Sequence, residues 1–168
     1  DNCLTETNFF IEKDRIKKVR EELNNNSYKI VIGAGSSGPT TKWGSNNYAN
    51  LINNLNELDN YFFFILCGPN EKEIENQILS KLKKKNFLTL SSKRIYDLIP
   101  YLGISDMYVG NDSFGSHIVS QCGKKSIVLL LDAPRAYTDY SKNYYRMIPN
   151  GYKIDEITHG TNADPKLI

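Results

Sequence analysis

Ile30-Val31-Ile32-Gly33-Ala34-Gly35-Ser36-Ser37-Gly38 sets the fold. An apolar run turns directly into a loop of small residues. A strand buried on both faces that opens into such a loop is how a parallel sheet offers its carboxyl edge to a ligand. The spacing matches GxGxxG, the fingerprint of FAD- and NAD-dependent oxidoreductase domains. Two features of that fingerprint are missing. The helix should begin inside the motif, yet Pro39-Thr40-Thr41-Lys42-Trp43-Gly44 extends the loop to Ser45. The second strand should end in an acid for the ribose, yet it ends Leu66-Cys67-Gly68. A flexible glycine-rich turn with no ligand is a further alternative. The remaining reading keeps the phosphate and changes the ligand. Small residues let a phosphate approach the backbone, Ser36, Ser37, Thr40 and Thr41 offer hydroxyls, and Lys42 offers a cation.

Outward from this stretch the chain alternates strand and helix. Asn8–Leu23 reads as a helix, with Phe9, Ile16, Val19 and Leu23 at helical spacing. Tyr28–Ile32 is the first strand. Asn46 can cap a helix carrying Tyr48, Leu51, Ile52, Leu55 and Leu58. Tyr61–Cys67 is a second strand, followed by a helix with Ile74, Ile78 and Leu82 whose end carries Lys81, Lys83, Lys84 and Lys85. Phe87–Leu90, Met107–Gly110 and Ser126–Leu131 read as further strands. Helices at Lys93–Leu102, which Pro100 should end or kink, and Asp112–Cys122 alternate with them. Residues 133–150 read as a loop with at most one helical turn, and Gly151–Ile157 as a short strand. The whole predicts an α/β, doubly wound parallel sheet, Rossmann-like, for which the common strand order is 3-2-1-4-5.

That order makes the first and fourth strands neighbours at the switch point. The loop after the fourth is Gly110-Asn111-Asp112-Ser113-Phe114-Gly115-Ser116-His117. It opens a helix, whose first N–H groups favour an anion. Asp112 reads most simply as the N-cap, and His117 faces either the core or the crevice. The two loops best able to hold a phosphate are therefore expected to face each other.

Composition narrows the classes. The 168 residues are 40% hydrophobic and 24% charged, with 21 basic against 19 acidic side chains, a net +2. This suits one globular domain and excludes a nucleic-acid binder that relies on bulk charge. No apolar run approaches the roughly 20 residues of a spanning helix. Cys67 and Cys122 read as buried thiols, which suits a reducing, cytoplasmic compartment. The chain begins at Asp1 without a Met and is expected to be a piece of something longer.

At these residues the chain resembles the C-terminal donor-binding domain of family 9 glycosyltransferases, the ADP-heptose:lipopolysaccharide heptosyltransferases. The resemblance rests on the loop Gly33–Trp43, the helix segment Tyr48-Ala49-Asn50-Leu51-Ile52, the segment Cys67-Gly68-Pro69-Asn70-Glu71-Lys72-Glu73, and Asp112-Ser113-Phe114-Gly115-Ser116-His117. It runs from about Tyr28 to Leu131. Phe114 stands where the family usually has Gly, and Leu131-Asp132-Ala133-Pro134-Arg135 replaces its usual Gly/Thr/Pro loop.

The resemblance implies the C-terminal half of a GT-B enzyme that transfers a sugar, with inversion and without a metal, from a nucleotide diphosphate sugar such as ADP-heptose. The acceptor would be a lipopolysaccharide or other glycan, lipid-linked or free. The donor site would comprise Ser36, Ser37, Gly38, Thr40, Thr41, Lys42, Asp112, Ser113, Phe114, Gly115, Ser116 and His117. Lys42 and the helix start would hold the diphosphate, Asp112 would orient the loop or bind sugar hydroxyls, and His117 would donate to phosphate or sugar. Glu71 or Glu73 would reach the ribose. No catalytic residue, cofactor or resident metal is expected in this chain, because the resemblance puts the general base on a preceding N-terminal domain. Residues 1–27 would be a helix and linker from that domain, and residues 28–168 the nucleotide-sugar domain, inactive alone. The full protein is expected in the cytoplasm, with peripheral association at the inner membrane. The competing class is a non-catalytic nucleotide-binding or scaffolding domain of the same fold.

Overall fold

A computed structural model describes residues 7–36, 42–161 and 163–168. Six strands, β1 (Tyr28–Gly33), β2 (Tyr61–Leu66), β3 (Phe87–Thr89), β4 (Met107–Asn111), β5 (Lys125–Leu129) and β6 (Tyr144–Met147), form one sheet. Its order is β3-β2-β1-β4-β5-β6, and every pairing is parallel. The expected order 3-2-1-4-5 is therefore present, with a sixth strand at the edge. That strand lies inside the stretch expected to be a loop. It carries only four residues, Tyr-Tyr-Arg-Met, too few for a period to show in the sequence. The short strand expected at Gly151–Ile157 does not form; Ile154–Glu156 makes a single 3-10 turn instead.

The strands alternate strictly between two apolar layers. Val31, Phe64, Tyr108 and Val128 face α1 (Lys13–Leu23), α4 (Ile95–Ile104) and α5 (Phe114–Gln121). Ile30, Ile32, Phe63 and Ile65 face α2 (Ser45–Leu58) and α3 (Lys72–Leu79). Burial on both faces is why the strands read as continuous apolar runs.

Helix boundaries depart from expectation for local reasons. α1 starts at Lys13, five residues late, and its Val19 is buried in the first layer. α3 ends at Leu79, so Lys81–Lys85 lie beyond it. Lys84 Nζ donates to the Asn56 carbonyl at 2.7 Å, and Lys83 pairs with Glu57 at 3.4 Å. α4 runs through Pro100 to Ile104. Proline removes the N–H that would bond the Tyr96 carbonyl. The Arg15 guanidinium donates to that carbonyl instead, lying 3.6 Å above the Tyr96 ring. A side chain from α1 thus replaces the missing hydrogen bond of α4.

Candidate functional site

β1 and β4 are in register with Gly33 opposite Gly110, so the loops following them leave the same edge of the sheet. Asn111 joins them. Its buried amide donates to the Ala34 carbonyl at 2.8 Å, and its Oδ1 accepts from the Tyr48 hydroxyl at 2.8 Å and the Trp43 N–H at 3.2 Å. One side chain fixes the end of β1, the start of α2 and the glycine loop. Trp43 packs edge-on against Tyr48, with ring centroids 5.1 Å apart, and so anchors the loop on the core.

Between the loops lies a cleft of about 690 Å³. Gly35, Ser36, Lys42, Gly68 and Glu71 form one wall, and Asp112, Ser113, Phe114 and Gly115 the other; Ile95 and Leu98 add an apolar side. Lys42 and Ser113 therefore meet across one crevice, as the switch-point rule requires. Ser37, Gly38, Thr40 and Thr41 lie outside the described residues.

The carboxylate of Glu71 is the centre of the first wall. Its Oε1 lies 2.8 Å from Lys42 Nζ and 3.1 Å from the Ser36 N–H, and its Oε2 accepts from the Gly68 N–H at 2.6 Å. Burial pushes this carboxyl up, but the ammonium and the two amides together hold it below its ordinary value. Glu73 is not part of the site: it is exposed and accepts from Gln77 at 3.2 Å. On a helix starting at Lys72 it faces solvent, whereas Glu71 precedes the first turn and reaches back to the loop. The fully buried acid of this segment is Glu75, which takes hydrogen bonds from Lys72 and Ser91.

On the second wall Ser113, not Asp112, is the N-cap of α5. The Ser116 Oγ accepts from the Ser113 N–H at 3.4 Å, and Ser116 is fully buried behind the cleft. Asp112, one residue earlier, is left with its side chain 12% exposed. Its Oδ1 lies 3.4 Å from His117 Nε2 without forming a hydrogen bond. Burial raises the Asp112 carboxyl above its ordinary value, against the lowering effects of His117 and Ser116. The other imidazole nitrogen of His117 bonds the hydroxyls of Tyr140 and of Tyr144, the latter at 2.9 Å. His117 therefore stands between the cleft wall at Asp112 and the first apolar layer, in which Tyr144 is buried. It spans from Asp112 to a tyrosine pair that sequence reasoning missed; the Tyr-rich tail was the only trace of it.

The glycines have different tasks from those the motif suggests. A Cβ on Gly33 would overlap the Tyr108 phenol, whose hydroxyl bonds the Asn111 carbonyl at 2.7 Å and Ser113 Oγ at 3.0 Å. A Cβ on Gly115 would lie 2.5 Å from Leu66 Cδ2, so this glycine seats α5 on the sheet. One on Gly35 would overlap the Glu71 carboxylate. Cys67 is buried at the cleft floor, and that burial pushes its thiol up to about 12. It is no nucleophile at neutral pH.

Residues 4–154 match the model of glycosyltransferase family 9 (heptosyltransferase). The chain belongs to this family. The family 9 chain shares its fold with E. coli ADP-heptose lipopolysaccharide heptosyltransferase II at 17% identity and a TM-score of 0.76, covering 95% of this chain and 50% of that one. A family 9 glycosyltransferase from Veillonella parvula matches at 14% identity and a TM-score of 0.75, covering 96% and 51%. The E. coli heptosyltransferase WaaC, solved with ADP, matches at 15% and 0.61, covering 83% and 43%. The chain thus spans about half the length of these relatives. No curated protein matches it in sequence. Among the described residues no helix is long and apolar enough to cross a membrane.

Proposed function

We propose that this chain is the donor-binding half of a family 9 glycosyltransferase, taking a nucleotide diphosphate sugar, ADP-heptose or a close analogue. The observation that carries the reading is the meeting of Lys42 and the first turn of α5 across one cleft. A leaving nucleoside diphosphate gains negative charge as the glycosidic bond breaks. Fixed N–H donors and one ammonium in a partly dry cleft stabilise that charge without reorganisation and without a metal. Asp112 lines the same wall, where an acceptor carboxylate orients sugar hydroxyls. Ile95, Leu98 and Phe114 offer apolar surface to the nucleobase. Solved relatives were crystallised with ADP and with an ADP-heptose analogue, which supports this ligand class.

Transfer also needs an acceptor site and a general base. In this reading both belong to the other half of the enzyme, at the cytoplasmic face of a membrane that carries the glycan acceptor. Calorimetry with ADP, ADP-heptose, adenosine, NAD and FAD tests the reading. Binding of the ADP ligands alone supports it; preference for NAD or FAD, or no binding at all, overturns it. A turnover assay tests the division of labour. The chain alone should transfer sugar at least about 10²–10⁴ more slowly than a two-domain enzyme, because general-base help and acceptor positioning are lost together.

A further inference from the structure

Polar groups tie α5 to the edge of the sheet. The Asn143 amide donates to the Ser120 carbonyl at 2.9 Å, and the Ser126 hydroxyl on β5 donates to the Ser116 carbonyl at 3.2 Å. The chain entering β6 turns tightly, the Asn143 N–H donating to Ser141 Oγ at 3.2 Å and the Tyr144 N–H to the Ser141 carbonyl at 3.5 Å. That turn brings the hydroxyls of Tyr140 and Tyr144 to 2.9 Å from each other and both onto His117 Nδ1. The Tyr140 ring stacks on the imidazole with centroids 5.8 Å apart, and Tyr144 meets it edge-on at 6.0 Å. The other ring nitrogen, Nε2, lies 3.4 Å from Asp112 Oδ1, and Asp112 lines the cleft.

The protons at this spot are countable. Two phenols bring two protons to three polar atoms. With Nδ1 as an acceptor, one phenol donates to it and the other phenol donates to the first, so both protons are used and the lone pair of the ring is satisfied. On the far side an ionised Asp112 carboxylate offers only lone pairs. A proton on Nε2 faces it favourably, whereas a lone pair there would face an anion in a partly buried site. Both sides of the ring select the same tautomer.

We propose that Tyr140 and Tyr144 are positioning residues: their hydroxyls hold His117 as the Nε2–H tautomer, with that N–H beside the Asp112 carboxylate at the cleft wall. An N–H next to an acceptor carboxylate is a pairing that a sugar hydroxyl, itself donor and acceptor, satisfies from both sides. That consequence rests on the donor-binding reading; the tautomer does not. The inference also gives β6 a task. The strand pairs Tyr144 with Ser126 of β5 and buries it against α5, so the edge of the sheet orients a ring at the cleft.

Nitrogen-15 NMR of the two imidazoles of the chain, at mildly alkaline pH, reads the tautomer without any ligand; His159→Asn identifies the His117 signals. Wild type should show Nε2 protonated and Nδ1 as a hydrogen-bonded acceptor. Y140F/Y144F removes both hydroxyls and keeps both rings. Asp112 alone then selects the tautomer, and the Nδ1–H form should become detectable in exchange. A protonated Nδ1 in wild type overturns the proposal, a result that stands even should the double variant fail to fold. Unchanged ring-nitrogen signals in the folded double variant overturn it as well. Calorimetry with ADP-heptose and ADP reads the consequence. Y140F/Y144F should bind ADP-heptose about fivefold more weakly, the worth of one neutral hydrogen bond, and ADP unchanged. H117A should show the same loss, and in its background the two Phe substitutions should cost nothing further. Additive losses make the tyrosines packing alone and overturn the positioning role. No binding of either ligand by any of these chains, with the tautomer as stated, overturns the donor reading and leaves the tautomer standing.

Discussion

The phenol of Tyr108 fills the space that a side chain on Gly33 would occupy, with its Cε2 2.6 Å from the position of a Cβ there. The first glycine of the loop is therefore required by the neighbouring strand. Gly33→Ala should destabilise the chain by about 3 kcal/mol through overpacking, since both residues are buried between the same layers. The double variant G33A/Y108L should recover part of the loss in chemical denaturation. Equal stability of G33A and wild type would show that the ring has room to move.

Among the described residues that line the cleft, Lys42 is the cation. Lys42→Ala should weaken binding of ADP about 10- to 100-fold and leave adenosine binding nearly unchanged. A charge-assisted contact is worth about 1.5–3 kcal/mol, and adenosine has no phosphate to receive it. Calorimetry with both ligands reads the difference; equal losses would remove Lys42 from the phosphate.

Asp112 has a buried carboxyl oxygen with no hydrogen bond and a raised ionisation range. With the folded value above that of a free aspartate, the ionised group costs native stability at neutral pH. The cost disappears below the ordinary aspartate range, where folded and unfolded chains are both protonated. Asp112→Asn should therefore raise Tm at pH 7 by roughly 2–4 °C, the shift of about 1 kcal/mol in a domain this size, and change nothing at pH 3. It should also weaken ADP-sugar binding more than ADP binding. A Tm gain that persists undiminished at pH 3 would refute the electrostatic origin.

Arg15 takes the carbonyl that Pro100 leaves without a partner in α4. Arg15→Ala should cost about 1 kcal/mol, and distinctly less in the background of Pro100→Ala, where the residue-100 N–H can bond Tyr96 itself. Additive costs in a double-mutant cycle would break the link.

The sequence by itself determined the parallel sheet, the succession of its first five strands and the two polar loops that follow the first and fourth of them. Doubly buried strands leave continuous apolar runs such as Tyr61–Leu66, and right-handed crossovers leave few ways to order them. It also carried the family, because Lys42 and the Asp112–His117 segment hold their spacing along the chain. Only the tertiary structure decided what the polar groups do. That Glu71 and not Glu73 enters the cleft depends on where α3 begins, and a one-residue step turns a helical side chain through roughly 100°. Ser113 rather than Asp112 caps α5 for a similar reason. Asn111 acts on Ala34, 77 residues away in sequence, Tyr108 on Gly33, and the Tyr140–Tyr144 pair on His117. Such contacts have no period and no local spacing; they exist only once the sheet has brought its strand ends to a common edge.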